Sequence, residues 1–143
     1  MAEIKGSMVK KLRDRTGLRM MECTKALAQA DGDIEVAIEE LRKSSGMKAA
    51  KKAGRIAADG VVTTRIAEDG SYGVLVEVNS ETDFVAKNQD FINFCKELSE
   101  INFNNKSDLD KINSTKMSNG ILVKDNLVNL IAKIGEKITI RRA

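Results

Sequence analysis

Over residues 3–45 the apolar positions recur every three or four residues, which predicts three short helices. The first carries Met8 and Leu12, with Ser7 as its expected cap, and Thr16-Gly17 interrupts it. A second, near residues 20–30, carries Cys23, Ala26, Leu27 and Ala30. Asp31-Gly32-Asp33 reads as a stop and a start: Gly32 suits the left-handed position after one helix, and Asp33 can cap the next. Ile34, Ala37, Ile38 and Leu41 then form an i, i+3, i+4, i+7 stripe. Each stripe is too narrow to stabilise a lone helix, but the three packed together make one small core.

From Gly60 the period drops to two. Val62, Thr64 and Ile66 alternate with Val61, Thr63 and Arg65; Asp69-Gly70 marks a turn; Val74, Val76 and Val78 share one face of the return strand. This predicts an antiparallel hairpin. A helical stripe returns with Phe91, Phe94, Cys95, Leu98 and Ile101. Residues 102–119, rich in Asn, Ser, Lys and Asp, read as containing a loop. A second amphipathic helix within 121–134 uses Leu122, Leu127, Leu130, Ile131 and Ile134, and Gly135 is its stop. "KITIRR" alternates again, with Ile138 and Ile140 on one face, and predicts a third strand. The expected fold class is α+β: a three-helix module (1–45), a basic linker (46–59) and a core subdomain (60–143). In that core, two or three helices pack on one face of a three-stranded antiparallel sheet.

Composition narrows the chemistry. The chain has 143 residues, 42 % hydrophobic and 31 % charged, a soluble globular balance rather than a disordered one. Its apolar runs are too short to cross a bilayer, and no signal peptide is expected, so the cytosol or an organelle matrix is the default compartment. Cys23 and Cys95 lie far apart, form no CxxC pattern and read as buried thiols. Histidine is absent, which removes Ser–His and Cys–His nucleophile pairs and His-ligated zinc. No phosphate-cradling GxxxxGK[ST] or GxGxxG loop occurs. No cofactor, no metal site and no covalent catalysis are therefore expected. The net charge of +3 is modest. Basic residues concentrate in "RKSSGMKAAKKAGR" (42–55), which holds six of them and no acid. This is a linker or a solvated basic helix; contact with RNA is the alternative, weakened because no aromatic interleaves the charges.

"NSETDFVAKNQ" (79–89) is the most informative stretch. Thr82 sits where a helix cap belongs, and Asp83 then lies at the positive end of the helix dipole. Phe84 has two readings: folded back onto the sheet, or held outward as a wedge. The core-facing stripe begins only at Phe91, where Phe91 and Phe94 already supply aromatic bulk, and residues 88–90 break the run. Residues 83–87 are thus expected as a separate turn. A phenylalanine on it can bury large apolar area in a partner at little cost in side-chain freedom. Asp83 can accept a hydrogen bond from such a partner. Periodicity alone leaves both readings of Phe84 open.

The segments "LRDRTGLRMMECTKALAQADGDIEVAIEELRKS", "KAAKKAGRIAADGVV" and "EVNSETDFVAKNQDF" resemble translation elongation factor Ts, and the similarity returns at "LIAKIGEKITIRR". T-G-x-x-M-M-x-C, A-A-D-G and T-D-F-V-A-K-N, in that order and spacing, carry the resemblance. It implies a guanine-nucleotide exchange factor that binds the GTPase elongation factor Tu and speeds GDP release. It also implies an N-terminal module similar to ubiquitin-associated domains, docking on the GTPase G domain. Lys10, Arg13, Met20 and Met21 match that surface, Val85 joins the partner-binding set, and one of the two methionines is expected to point inward. Thr82, Asp83 and Phe84 match the exchange motif, whose phenylalanine intrudes near the nucleotide's Mg²⁺ and disturbs the metal and phosphate loop. Neither a membrane nor a nucleic acid is an expected partner. Longer members carry a second core subdomain, so this chain reads as a truncated or short member, with a homodimer through its single core subdomain as one expectation. The alternative is a UBA-like interaction module or an RNA-binding accessory protein without exchange activity.

Overall fold

A computed structural model describes residues 2–143. The described chain forms helices α1 (Gly6–Thr16), α2 (Met20–Gln29) and α3 (Ile34–Lys52), then strands β1 (Asp59–Ile66) and β2 (Gly73–Ser80). Helices α4 (Asp83–Ala86), α5 (Gln89–Asn104), α6 (Leu109–Asn113) and α7 (Val123–Ile134) follow, and β3 (Thr139–Arg142) closes the chain. The architecture is α+β, with a three-stranded antiparallel sheet in the order β1-β2-β3.

Two apolar clusters organise the packing. Val9, Leu12, Leu18, Cys23, Ala26, Leu27, Ala37 and Leu41 bury one another among α1, α2 and α3. Helix α1 starts one residue before Ser7, at Gly6, and Lys5 in the N-cap position gives no side-chain bond, so Ser7 is not a cap. Asp33 does cap α3, its carboxylate accepting from the N–H groups of Glu35 (3.0 Å) and Val36 (3.1 Å). The third helix does not end near residue 45. It continues to Lys52 and takes in the first half of the expected linker. Two causes are visible: the segment is rich in Ala and Lys, which favour helix, and α3 packs along α7, with Ser45 buried and Ala49 against the second cluster.

The second cluster lies between the sheet and α4–α7. Val76 and Val78 face inward and are fully buried, and Phe91, Leu98, Ile112 and Val123 close over them. Arg65 fastens the hairpin end of β1 to α5: it bonds Glu100 at 2.8 Å and lies 4.8 Å over the Phe103 ring, on which Tyr72 stacks. The segment expected as a loop contains α6, capped by Asp108 through the Lys111 N–H, with Ile112 and Met117 buried beneath it. Its polar composition hid a one-turn helix that uses a single core side chain. Both cysteines are free and buried, and burial pushes the Cys95 thiol up to about 12.

Gly60 is required where β1 begins. Its φ is +142°, and a Cβ there would meet the Val78 carbonyl oxygen at 2.1 Å and the Asn79 Cα at 2.8 Å. The A-A-D-G motif thus marks a place where two strand backbones touch. Replacing Gly60 by Ala should cost about 2–4 kcal/mol of stability, read as a lower urea midpoint, because both the backbone angle and the strand approach are violated. A midpoint within error of the parent would refute this.

Candidate partner-binding site

Helix α4 spans only four residues and cannot be stable alone. It is held from its ends and from below. The Thr82 hydroxyl accepts a long bond from the Val85 N–H (3.4 Å), and the Asn88 N–H returns to the Val85 carbonyl at 2.9 Å. Asn88 then caps α5, accepting from Asp90 N–H (2.9 Å) and Phe91 N–H (3.3 Å), so the chain turns sharply between the helices. Val85 is 8 % exposed and sits in the second cluster. It anchors the turn to the core and leaves only a small part of its surface beside Phe84. With Val85 inward, Phe84 points out: 83 % of it is exposed, the greatest exposure of the four phenylalanines. Asp83 is exposed beside it and pairs with Lys87 at 3.5 Å, one helical turn on.

A carboxylate from far along the chain completes the turn. Gly135 ends α7 in the left-handed conformation (φ 88°), its N–H reaching the Ile131 carbonyl at 2.8 Å. The redirected backbone brings Glu136 under Thr82. One Glu136 oxygen accepts from the Thr82 N–H (3.0 Å) and the other from the Thr82 hydroxyl (2.8 Å). Arg55 spans the neighbouring residues: its guanidinium pairs with Glu81 at 3.4 Å, and its carbonyl accepts from Lys137 at 3.0 Å. Glu136 and Arg55 were not among the residues expected from the sequence. Fifty-four residues separate Glu136 from Thr82, and no periodic signal links them.

The second candidate surface lies on the N-terminal helices. A groove of about 470 Å³ between α1 and α2 has Ile4 and Val9 in its walls and is lined by Lys10, Arg13 and Met20. Three of the four expected docking residues therefore meet in one place. Met21 does not line it, and neither methionine points inward: Met20 is 57 % and Met21 85 % exposed. The two surfaces are physically joined. Arg19, immediately before α2, donates to the Lys133 carbonyl of α7 at 2.9 Å, and Lys133 pairs with Asp90 at 3.0 Å. Arg19 and Phe84 line a shared notch of about 280 Å³ with Asn88, Lys133 and Ile134.

The basic run is less free than its composition implies. Arg42 pairs with Glu39, Lys48 with Glu22 and Arg55 with Glu81. Among the described residues there is no group of three or more Cys, Asp or Glu that could hold a metal ion, and no helix long and apolar enough to cross a membrane.

Residues 81–143, which begin one residue before the Thr82-Asp83-Phe84 turn, match the family described as "Elongation factor TS". Over its whole length the chain is similar to proteins named elongation factor Ts. Proteins named elongation factor Ts from Hahella chejuensis and Acinetobacter baylyi are 56 % and 54 % identical to it, each over 144 residues. Those alignments cover 100 % of this chain and 48 % and 49 % of the relatives. The namesake from Teredinibacter turnerae is 55 % identical over 140 residues, covering 97 % of this chain and 46 % of the relative. The chain thus spans about half the length of the curated relatives it matches.

The contrast between Phe84 and Phe91 gives a test of the site's geometry. Phe91→Ala should remove about 3–5 kcal/mol of stability, since Phe91 is wholly buried, whereas Phe84→Ala should stay within about 0.5 kcal/mol of the parent. Chemical denaturation of the two variants decides it. Comparable losses would mean that Phe84 packs inside.

Proposed function

We propose that this chain is a guanine-nucleotide exchange factor for elongation factor Tu, a binding protein that carries out no covalent chemistry. The observation that carries the reading is the outward Phe84 on a turn pinned at both ends, in a segment that matches the family. GDP is held on such a GTPase by Mg²⁺ and a ring of backbone N–H groups around its phosphates. A factor that binds the nucleotide-free form more tightly than the loaded form must, by linkage, weaken nucleotide by the same ratio. In this reading Lys10, Arg13 and Met20 dock the N-terminal module, similar to ubiquitin-associated domains, on the G domain. The exposed thioether of Met21 adapts at the rim. Phe84 then inserts between helices near the metal, and Asp83 accepts a hydrogen bond there. The metal and phosphate contacts are disturbed, and GDP leaves.

The arrangement supports this division of labour because the groove and the turn are bolted together through Arg19 and α7. Docking at one surface fixes where the other lands. The partner and the activity imply a bacterial cytoplasm or an organelle matrix as the place of action. Stopped-flow release of fluorescent GDP from elongation factor Tu tests the reading. The chain at micromolar concentration should accelerate release, and Phe84→Ala should lose at least about tenfold of that acceleration while remaining folded. No acceleration by the parent chain would end the proposal; full acceleration by Phe84→Ala would end the role of Phe84.

Self-association is the companion proposal. The sheet face turned away from the helices carries Val62, Ile66 and Leu75, all exposed, and a second copy can cover it. Sedimentation equilibrium should give a dimer that Leu75→Glu returns to monomer. A parent chain that stays monomeric at high micromolar concentration refutes it.

A further inference from the structure

We propose that Glu136 is a positioning residue for the exposed turn: its carboxylate clamps Thr82 and thereby sets the direction in which Phe84 points. The inference rests on the exchange reading above and adds a residue to it. Three observations carry it. Both Glu136 oxygens are committed to Thr82, one to the N–H at 3.0 Å and one to the hydroxyl at 2.8 Å. With its proton given to Glu136, the Thr82 hydroxyl has its lone pairs turned toward the Val85 N–H, so the clamp and the helix cap are one continuous chain of hydrogen bonds. Glu136 itself is held by the left-handed turn at Gly135 and by the Lys137–Arg55 contact, so the clamp is built on α7 rather than on the turn it controls.

A four-residue helix has little stiffness of its own. Without the carboxylate, the Thr82 N–H loses its partner and the hydroxyl keeps only its long contact with Val85, while the carbonyl still accepts from Ser80 Oγ (2.9 Å) and the Ala86 N–H (3.4 Å). The turn stays attached through buried Val85, but the Phe84 ring is free to swing. Docking through the α1–α2 groove is untouched, because none of the groove residues contacts Glu136. Loss of the clamp should therefore affect nucleotide displacement and not affinity.

The test uses the full chain in stopped-flow GDP release, titrated to saturation. Glu136→Ala should lower the maximal release rate about tenfold and leave the half-saturating concentration within about twofold. Glu136→Gln, which can still accept from the Thr82 N–H, should recover to within about threefold of the parent. Amide hydrogen exchange gives a readout that does not depend on the GTPase. In Glu136→Ala the Thr82 and Val85 amides should exchange about tenfold faster while the α5 amides keep their protection. A parent maximal rate in Glu136→Ala overturns the positioning role and leaves the exchange reading standing. So does a raised half-saturating concentration with an unchanged maximal rate. Equal loss of protection in α5 also overturns it, because Glu136 would then be a general stabiliser. If the parent chain accelerates nothing, the exchange reading fails, and unchanged Thr82 and Val85 protection would overturn the clamp as well.

Discussion

The burial of Val85 is the contact on which the exposed turn depends. In a helical turn, neighbouring side chains diverge by roughly 100°. Once Val85 is committed to the core cluster, Phe84 cannot join it and must face solvent. Exposing a phenylalanine forgoes about 2 kcal/mol of burial that the same side chain would contribute inside. The core does not need it, because Phe91 and Phe94 are already buried in that cluster. Phe84 is thus held outward by the packing of its neighbour.

The same logic extends outward from the turn. Helix α3 belongs to both apolar clusters: Ala37 and Leu41 close the N-terminal bundle, Ala49 packs on the other cluster, and the helix lies along α7. Ala132 of α7 packs against the N-terminal cluster, and Ala49 of α3 packs against the other. Small residues on both sides let the helices approach closely. Arg19 and Asn129 add hydrogen bonds across this seam, to the Lys133 and Thr16 carbonyls at 2.9 and 3.4 Å. The α1–α2 groove and the Phe84 turn therefore sit in a fixed relation, which an apolar wedge requires if it is to arrive where the docking surface directs it.

Much of this was legible in the linear pattern. Two strands with Val74, Val76 and Val78 on one face, the Asp33 cap, the stripe from Phe91 to Ile101 and a third strand at the end are all readable from period and punctuation, because each is a local choice. Ser7 misled, since a residue one step away started the helix without any side-chain cap. The basic segment left two readings, a linker or a basic helix, and helix α3 runs straight through Gly46, packed on α7 from more than seventy residues away. Helix α6 went unread because one buried isoleucine, Ile112, is too little signal among polar neighbours.

By itself the sequence determined the three strands and the helices with a full apolar stripe, that Thr82 begins a turn distinct from α5, and which family the motifs resemble. Periodicity and capping residues act over a few positions, so they are written in order along the chain. It could not decide the direction of Phe84. That follows from the burial of Val85 beneath it and from the Glu136 carboxylate brought under Thr82 by the turn at Gly135. Nor could it join Arg19 to α7, or bring Gly60 against the Val78 backbone. These are contacts between residues far apart in sequence, and only the packed chain supplies the second partner.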